Sequence, residues 1–92
     1  MINYHITVSG RVQGVGFRWS TMHVARQLNL TGFVQNKVDG TVYIEVQGDH
    51  KRVREFVNQV RSGISPYAKV ANMEIKPGNI IEYPNFSIKE NW

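Results

Sequence analysis

Residues 31–48, TGFVQNKVDGTVYIEVQG, carry strand-like alternation on both sides of Asp39-Gly40. An Asp-Gly pair supplies the turn chemistry of a tight hairpin. Val42, Ile44 and Val46 share one face of the second run, because strand side chains repeat every two residues. A hairpin with one apolar face needs a cover for it. The sequence offers one on each side. Upstream, Phe17, Thr21, Val24, Ala25 and Leu28 recur at helical spacing and predict a helix ending near Leu28 or Asn29. Downstream, Asp49 is a candidate N-cap, Val53, Phe56, Val57 and Val60 line one stripe, and Gly63 is a plausible stop.

Further out, Tyr4, Ile6 and Val8 alternate with Asn3, His5 and Thr7, the period of a half-buried strand. Ala71, Met73 and Ile75 alternate as a fourth strand. Phe86 and Ile88 predict a short last one after the turns KPGN (76–79) and EYPN (82–85). The order is strand, helix, strand, strand, helix, strand, with a strand-like tail. The economical way to bury it is an α+β, ferredoxin-like βαββαβ sandwich: an antiparallel sheet, two helices on one face and a short extra C-terminal strand. Residues 1–92 are expected to form a single domain, since 92 residues leave no room for a second core.

Composition narrows the chemistry. The sequence contains no cysteine, which removes disulfides, thiolate zinc sites and a cysteine nucleophile. MINYHITVSG (1–10) alternates instead of forming the apolar core of a signal peptide, and no run approaches the roughly 18 apolar residues of a membrane span. A cytoplasmic protein is expected. Eleven basic against seven acidic residues give +4. Such a mild positive field attracts anions in general and does not single out nucleic acid. His5, His23 and His50 stand 18 and 27 positions apart, without metal-ligand spacing, so structural or surface roles and no metal are expected. Tyr43 and Trp19 read as packing residues, with Trp19 placed to edge a pocket beside Arg18.

GRVQGVGFR, residues 10–18, puts three glycines and two arginines between the first strand and the first helix. A helix's first turn carries N–H groups without intrahelical partners, at the positive end of its dipole. Gly14 and Gly16 let the preceding loop gather further N–H groups into an anion nest, with no side chain to block the approach. Arg18, at the start of the helix, can close its planar donor fork on the same anion. Two nucleotide motifs do not fit. The dinucleotide fingerprint wants glycine where Trp19 stands, and the ATP-type loop wants Gly-Lys-Ser/Thr where Gly16-Phe17-Arg18 stands. On the residues alone, the stretch is either a phosphate cradle or a tight connection with Arg18 as a surface charge.

Gly10–Arg18, followed by Gly32, Phe33, Asn36, Gly40, Val42 and Gly48, closely resembles the two signature blocks of the acylphosphatases, small enzymes that hydrolyse acyl phosphates. NFSI (85–88) is similar to the family's closing strand, so the resemblance spans nearly the whole chain. The family's fold is the ferredoxin-like order already reached from periodicity. The resemblance implies roles. Arg18 matches the phosphate-binding arginine. Gln13, Gly14, Val15, Gly16 and Phe17 match the loop whose backbone N–H groups complete the cradle. Asn36 matches the asparagine that orients the attacking water, and Thr21 a position supporting the site from behind. It also implies an acyl phosphate as small-molecule substrate, inorganic phosphate or sulfate as a competing anion, no cofactor, no nucleic acid or membrane partner, and a monomer. There are two departures. GISP (63–66) replaces a Gly-Pro-Pro-like turn, away from the signature blocks, and bears on loop geometry more than on chemistry. The ending KENW (89–92) is longer than expected and leaves any role of the C-terminal carboxylate open.

The chemistry such a site needs is sparse. An acyl phosphate is a mixed anhydride whose leaving group is already stable as an anion, so no general acid is required. Its transfer is governed by positioning and electrostatics. The competing reading is a non-catalytic anion- or RNA-binding ferredoxin-like module. RNA modules of this plan stack bases on aromatics of the central strands. The third strand offers Tyr43 beside Thr41, Glu45 and Gln47, without the expected basic-aromatic run.

Overall fold

A computed structural model describes residues 1–90. Its elements are β1 (Ile2–Arg11), α1 (Phe17–Gln27), β2 (Thr31–Asn36), β3 (Val42–Gly48), α2 (His50–Arg61), β4 (Lys69–Pro77) and β5 (Phe86–Lys89). Local chemistry sets their limits. Asp39 Oδ1 accepts from the Thr41 backbone N–H at 3.0 Å and the Thr41 hydroxyl at 2.7 Å, closing the turn between β2 and β3. Asp49 caps α2 by accepting from the N–H groups of Lys51 and Arg52, two of the helix's four orphan donors. The sheet order is β4-β1-β3-β2-β5.

One face of the sheet presents Ile6, Val8, Val34, Val42, Ile44 and Val46, and the buried stripes of α1 and α2 cover it. Phe17, Phe56 and Phe86 are the largest side chains sealed inside. Each such burial is worth about 1.5–3 kcal/mol against leaving the group in water. The order of elements and the two-helix cover agree with the expected ferredoxin-like plan.

Two expectations need correction. The sheet is mixed: β1, β2, β3 and β4 pair antiparallel, but β5 pairs parallel to β2 through Gly32↔Phe86 and Val34↔Ile88. The cause is the path of the chain. After β4 at one edge, residues 78–85 carry the chain to the opposite edge, so β5 arrives in the direction of β2. Within β4, Ala71 is exposed, and Val70, Met73 and Ile75 are the half-buried apolar residues. A bulge opposite Ser9 and Gly10 shifts the register there and moves the alternation by one position.

The sheet's second face is polar and aromatic. Residues 78–85 form a strap fastened to it. Gln47 donates through Nε2 to the Ile81 carbonyl at 2.6 Å and accepts the Ile81 N–H at 3.0 Å. Tyr83 donates to Glu45 at 2.7 Å, and Asn3 donates to both Gln47 and Tyr83. Glu45 also accepts from Tyr43 at 2.6 Å and lies 3.8 Å from His5 Nε2. Burial alone would raise the Glu45 pKa, but the hydroxyls of Tyr43 and Tyr83 outweigh it and hold the carboxyl below its ordinary value of 4.5. Burial first, and then the Glu45 carboxylate, push the Tyr43 and Tyr83 phenols upward.

Candidate active site

Residues 12–16 connect β1 to α1 and are pinned at both ends by the core: Val12 and Phe17 are each 1% exposed. The Phe17 side chain therefore serves packing, and its backbone N–H is what it can offer a ligand. Gly14 and Gly16 adopt φ 74° and φ 77°, the left-handed region that other residues enter only at a cost. A Cβ on Gly14 would meet nothing within 4 Å, so that side of the loop is open. Gly16 is the N-cap of α1, no side chain caps the helix and its first turn holds no acid. The first-turn N–H groups thus keep their donor capacity at the positive end of the helix.

Arg18 follows in the first turn, half-buried, and among the described residues no carboxylate stands within ion-pairing distance of it. Its fork remains available to an anion. One turn further, Thr21 is fully buried, and its Oγ1 has no hydrogen-bond partner.

Asn36, the last residue of β2, comes to the same end of the sheet by register. It pairs with Val42, which pairs with Val8 near the end of β1. Its side chain shares the parity of Val34, two residues earlier, and so faces the helix side. Asn36 Oδ1 is buried with no protein partner. Among the described residues such an orphan side-chain atom occurs at Asn36, Thr21 and Asn3, and the first two are residues that the motif resemblance singles out. Buried acceptors without partners are rare enough to need a reason.

The loop and the Asn36 strand are tied together by a side chain the motif had assigned only through its backbone. Gln13 Nε2 donates to the carbonyls of Lys37 at 2.8 Å and Thr41 at 2.9 Å, the two ends of the turn that follows Asn36. A second tie comes from the segment that reads in sequence as remote from the chemistry. Ser65, in GISP, donates from Oγ to the Val15 carbonyl at 2.7 Å. The departure at 63–66 thus touches the glycine loop itself. Neither tie had a local signal, since the partners lie 24, 28 and 50 residues apart in the chain.

The remaining candidates fall elsewhere. Trp19 is 59% exposed and stacks on His23 with ring centroids 5.0 Å apart. Tyr43 lies on the strap face with Lys37 Nζ 5.1 Å from its ring centre. His50 sits 3.3 Å from Arg54 on α2. These two residues help line a groove of about 200 Å³ with Tyr4, Val57 and Arg61, which includes no residue of the loop. The C-terminal carboxylate lies outside the described residues.

The acylphosphatase family model matches residues 4–88. An acylphosphatase of Ligilactobacillus salivarius is 40% identical over 88 residues, 96% of this chain and 98% of that protein. One from Archaeoglobus fulgidus is 44% identical over 88 residues, with the same shares of each chain. The crystal structure of the Bacillus subtilis acylphosphatase superposes with a TM-score of 0.91 at 39% identity, covering 97% of this chain and 99% of that one.

Proposed function

Because the chain belongs to the acylphosphatase family and is a hydrolase that splits the carboxyl–phosphate anhydride, we propose how its own residues perform that reaction. Arg18 and the backbone N–H groups of Gln13–Phe17 hold the phosphoryl oxygens of an acyl phosphate. A water held by Asn36 attacks phosphorus from the side opposite the leaving oxygen. The P–O bond to the acyl group breaks, the carboxylate departs as a stable anion, and the water's proton passes to a phosphate oxygen. The products are a carboxylate and inorganic phosphate.

The division of labour follows from the groups. Arg18 supplies net charge and a planar fork for equatorial oxygens that carry the negative charge of a loose transition state. Asn36 is no base at neutral pH, but its carboxamide both accepts and donates, so it can orient a water without taking its proton. The observation that carries this reading is the buried, unpartnered Asn36 Oδ1 on a strand whose following turn Gln13 ties to a loop with uncapped N–H groups. Thr21 supports the site from behind. Inorganic phosphate or sulfate competes for the same cradle. The reading includes hydrolysis without metal or cofactor, carried out by the 1–92 unit as a cytoplasmic monomer that uses neither nucleic acid nor a membrane as partner.

Benzoyl phosphate hydrolysis by the purified chain in excess chelator tests the reading. Arg18→Ala is expected to lower kcat/KM by at least about 10³-fold, since one oxyanion donor is typically worth about 10²–10³ and Arg18 adds charge. Asn36→Ala is expected to lose kcat to a similar degree while keeping most of the affinity for inorganic phosphate. Wild-type turnover by Arg18→Ala would refute the assignment, and collapse of activity in chelator would refute metal independence.

A further inference from the structure

We propose that Ser65 is a positioning residue of the phosphate loop, acting as a lock on the orientation of the Val15–Gly16 peptide. This rests on the reading that residues 13–17 bind the phosphoryl group.

A trans peptide is planar, with its C=O and N–H pointing in opposite directions. Whatever holds the Val15 carbonyl therefore also aims the Gly16 N–H the other way. Ser65 Oγ holds that carbonyl at 2.7 Å from the α2–β4 connection, so the Gly16 N–H is turned away from Ser65. Gly16 lies at φ 77°, and glycine tolerates either orientation of the peptide that precedes it. The loop's own covalent structure leaves that choice open. The Ser65 hydroxyl makes it.

The segment bearing Ser65 is built to present it. Gly63 and Ile64 adopt φ 106° and φ 52°. A β-branched residue in the left-handed region costs roughly 1–3 kcal/mol and persists only where surrounding contacts impose it. Ser65 itself is 8% exposed, and its carbonyl accepts the Ala68 N–H at 3.1 Å, closing a turn around Pro66. Pro66 also restricts the residue before it to extended backbone. Strain at Ile64, the turn at 65–68 and burial all converge on one hydroxyl aimed at one loop carbonyl. The α2–β4 connection is thus part of the cradle, and its chemistry tunes affinity for the transferred group.

The test compares Ser65→Ala, Ser65→Thr and Arg18→Ala with the wild type. It measures inorganic phosphate affinity, benzoyl phosphate kinetics and the phosphate-dependent NMR shift of the Gly16 amide proton. Ser65→Ala is expected to weaken phosphate binding roughly five- to tenfold, the scale of one net hydrogen bond. It should also abolish or reverse the Gly16 shift, while the chain stays folded by circular dichroism. Ser65→Thr, which keeps the hydroxyl, should recover most of both. Loss of general stability alone would not move one amide selectively. If Ser65→Ala binds phosphate with wild-type affinity and an intact Gly16 shift while Arg18→Ala loses binding, the lock is refuted and the cradle stands. If Arg18→Ala also binds as the wild type does, the cradle reading itself falls. Should Ser65→Ala fail to fold, Ser65→Cys, with a much weaker donor, replaces it and must show the same selective loss.

Discussion

The loop at residues 12–16 and the strap at residues 78–85 both leave a strand and both are tied to distant parts of the chain, yet their backbones are used differently. The strap spends its own polar groups. Ile81 gives both its N–H and its carbonyl to Gln47, and Gly78 gives its N–H to the Asn3 carbonyl. The loop is held by other means: a carbonyl at Val15, the Gln13 side chain, and buried anchors at Val12 and Phe17. A loop that must offer donors to a ligand can be fastened by its acceptors and its side chains, because those attachments consume no N–H. A loop that only covers a surface has no such restriction.

The contrast can be broken at its loop end with Gln13→Ala. That change frees the Lys37–Thr41 turn from the cradle while leaving the backbone donors intact. It is expected to lower benzoyl phosphate kcat about tenfold, with a smaller change in phosphate affinity, since misplacement of a reacting group is costly even without lost contacts. An unchanged kcat would show that Asn36 keeps its place without this tie. At the strap end, Gln47→Ala should cost about 1–3 kcal/mol of stability, because it leaves the buried Asn3 amide and the part-buried backbone N–H and carbonyl of Ile81 without their partner. Its kcat/KM should be that of the wild type. A thermal melt and a steady-state assay on the same sample read both, and loss of activity without loss of stability would erase the distinction between the two loops.

The smallest effect is a pH dependence confined to the strap face. Glu45 has a folded pKa below its ordinary 4.5. A carboxyl of that kind stabilises the fold above its unfolded pKa, and the contribution is lost as pH falls through the folded value. Unfolding midpoints should therefore decline below about pH 4.5, and Glu45→Gln should flatten that decline while sparing turnover at neutral pH. An identical acid profile in Glu45→Gln would place the acid sensitivity elsewhere.

What the sequence made legible was whatever is decided locally. The Asp39-Gly40 turn, the Asp49 cap, the two apolar helix stripes and the glycine pair before α1 each act over a few residues, and each was found where periodicity and turn chemistry predicted it. Arg18 and Asn36 are singled out by motif resemblance, and the inward aim of Asn36 follows from its parity with Val34. The direction of β5 was not legible, because it depends on where residues 78–85 travel. The exposure of Ala71 was not legible either, since the bulge that causes it belongs to the pairing with β1. Ser65 escaped for the same reason: its partner stands 50 residues away and no pattern around it announces a donor.

Among the described residues, each outermost strand lacks a strand partner on one side, the kind of rim to which a neighbouring molecule can add a strand of its own and begin an aggregate, although on β5 the Phe86 carbonyl accepts from Arg26 Nε at 3.0 Å. The molecule guards its two rims unequally. β5 is only four residues long, too brief a template for much pairing. β4 runs for nine, but it carries Lys69, Glu74 and Lys76 along its exposed positions and ends in Pro77, which has no N–H to donate. Protection of the β4 margin against edge-to-edge pairing therefore rests on three charges and a proline, and replacing Lys69 and Lys76 by valine is expected to make that margin adhesive.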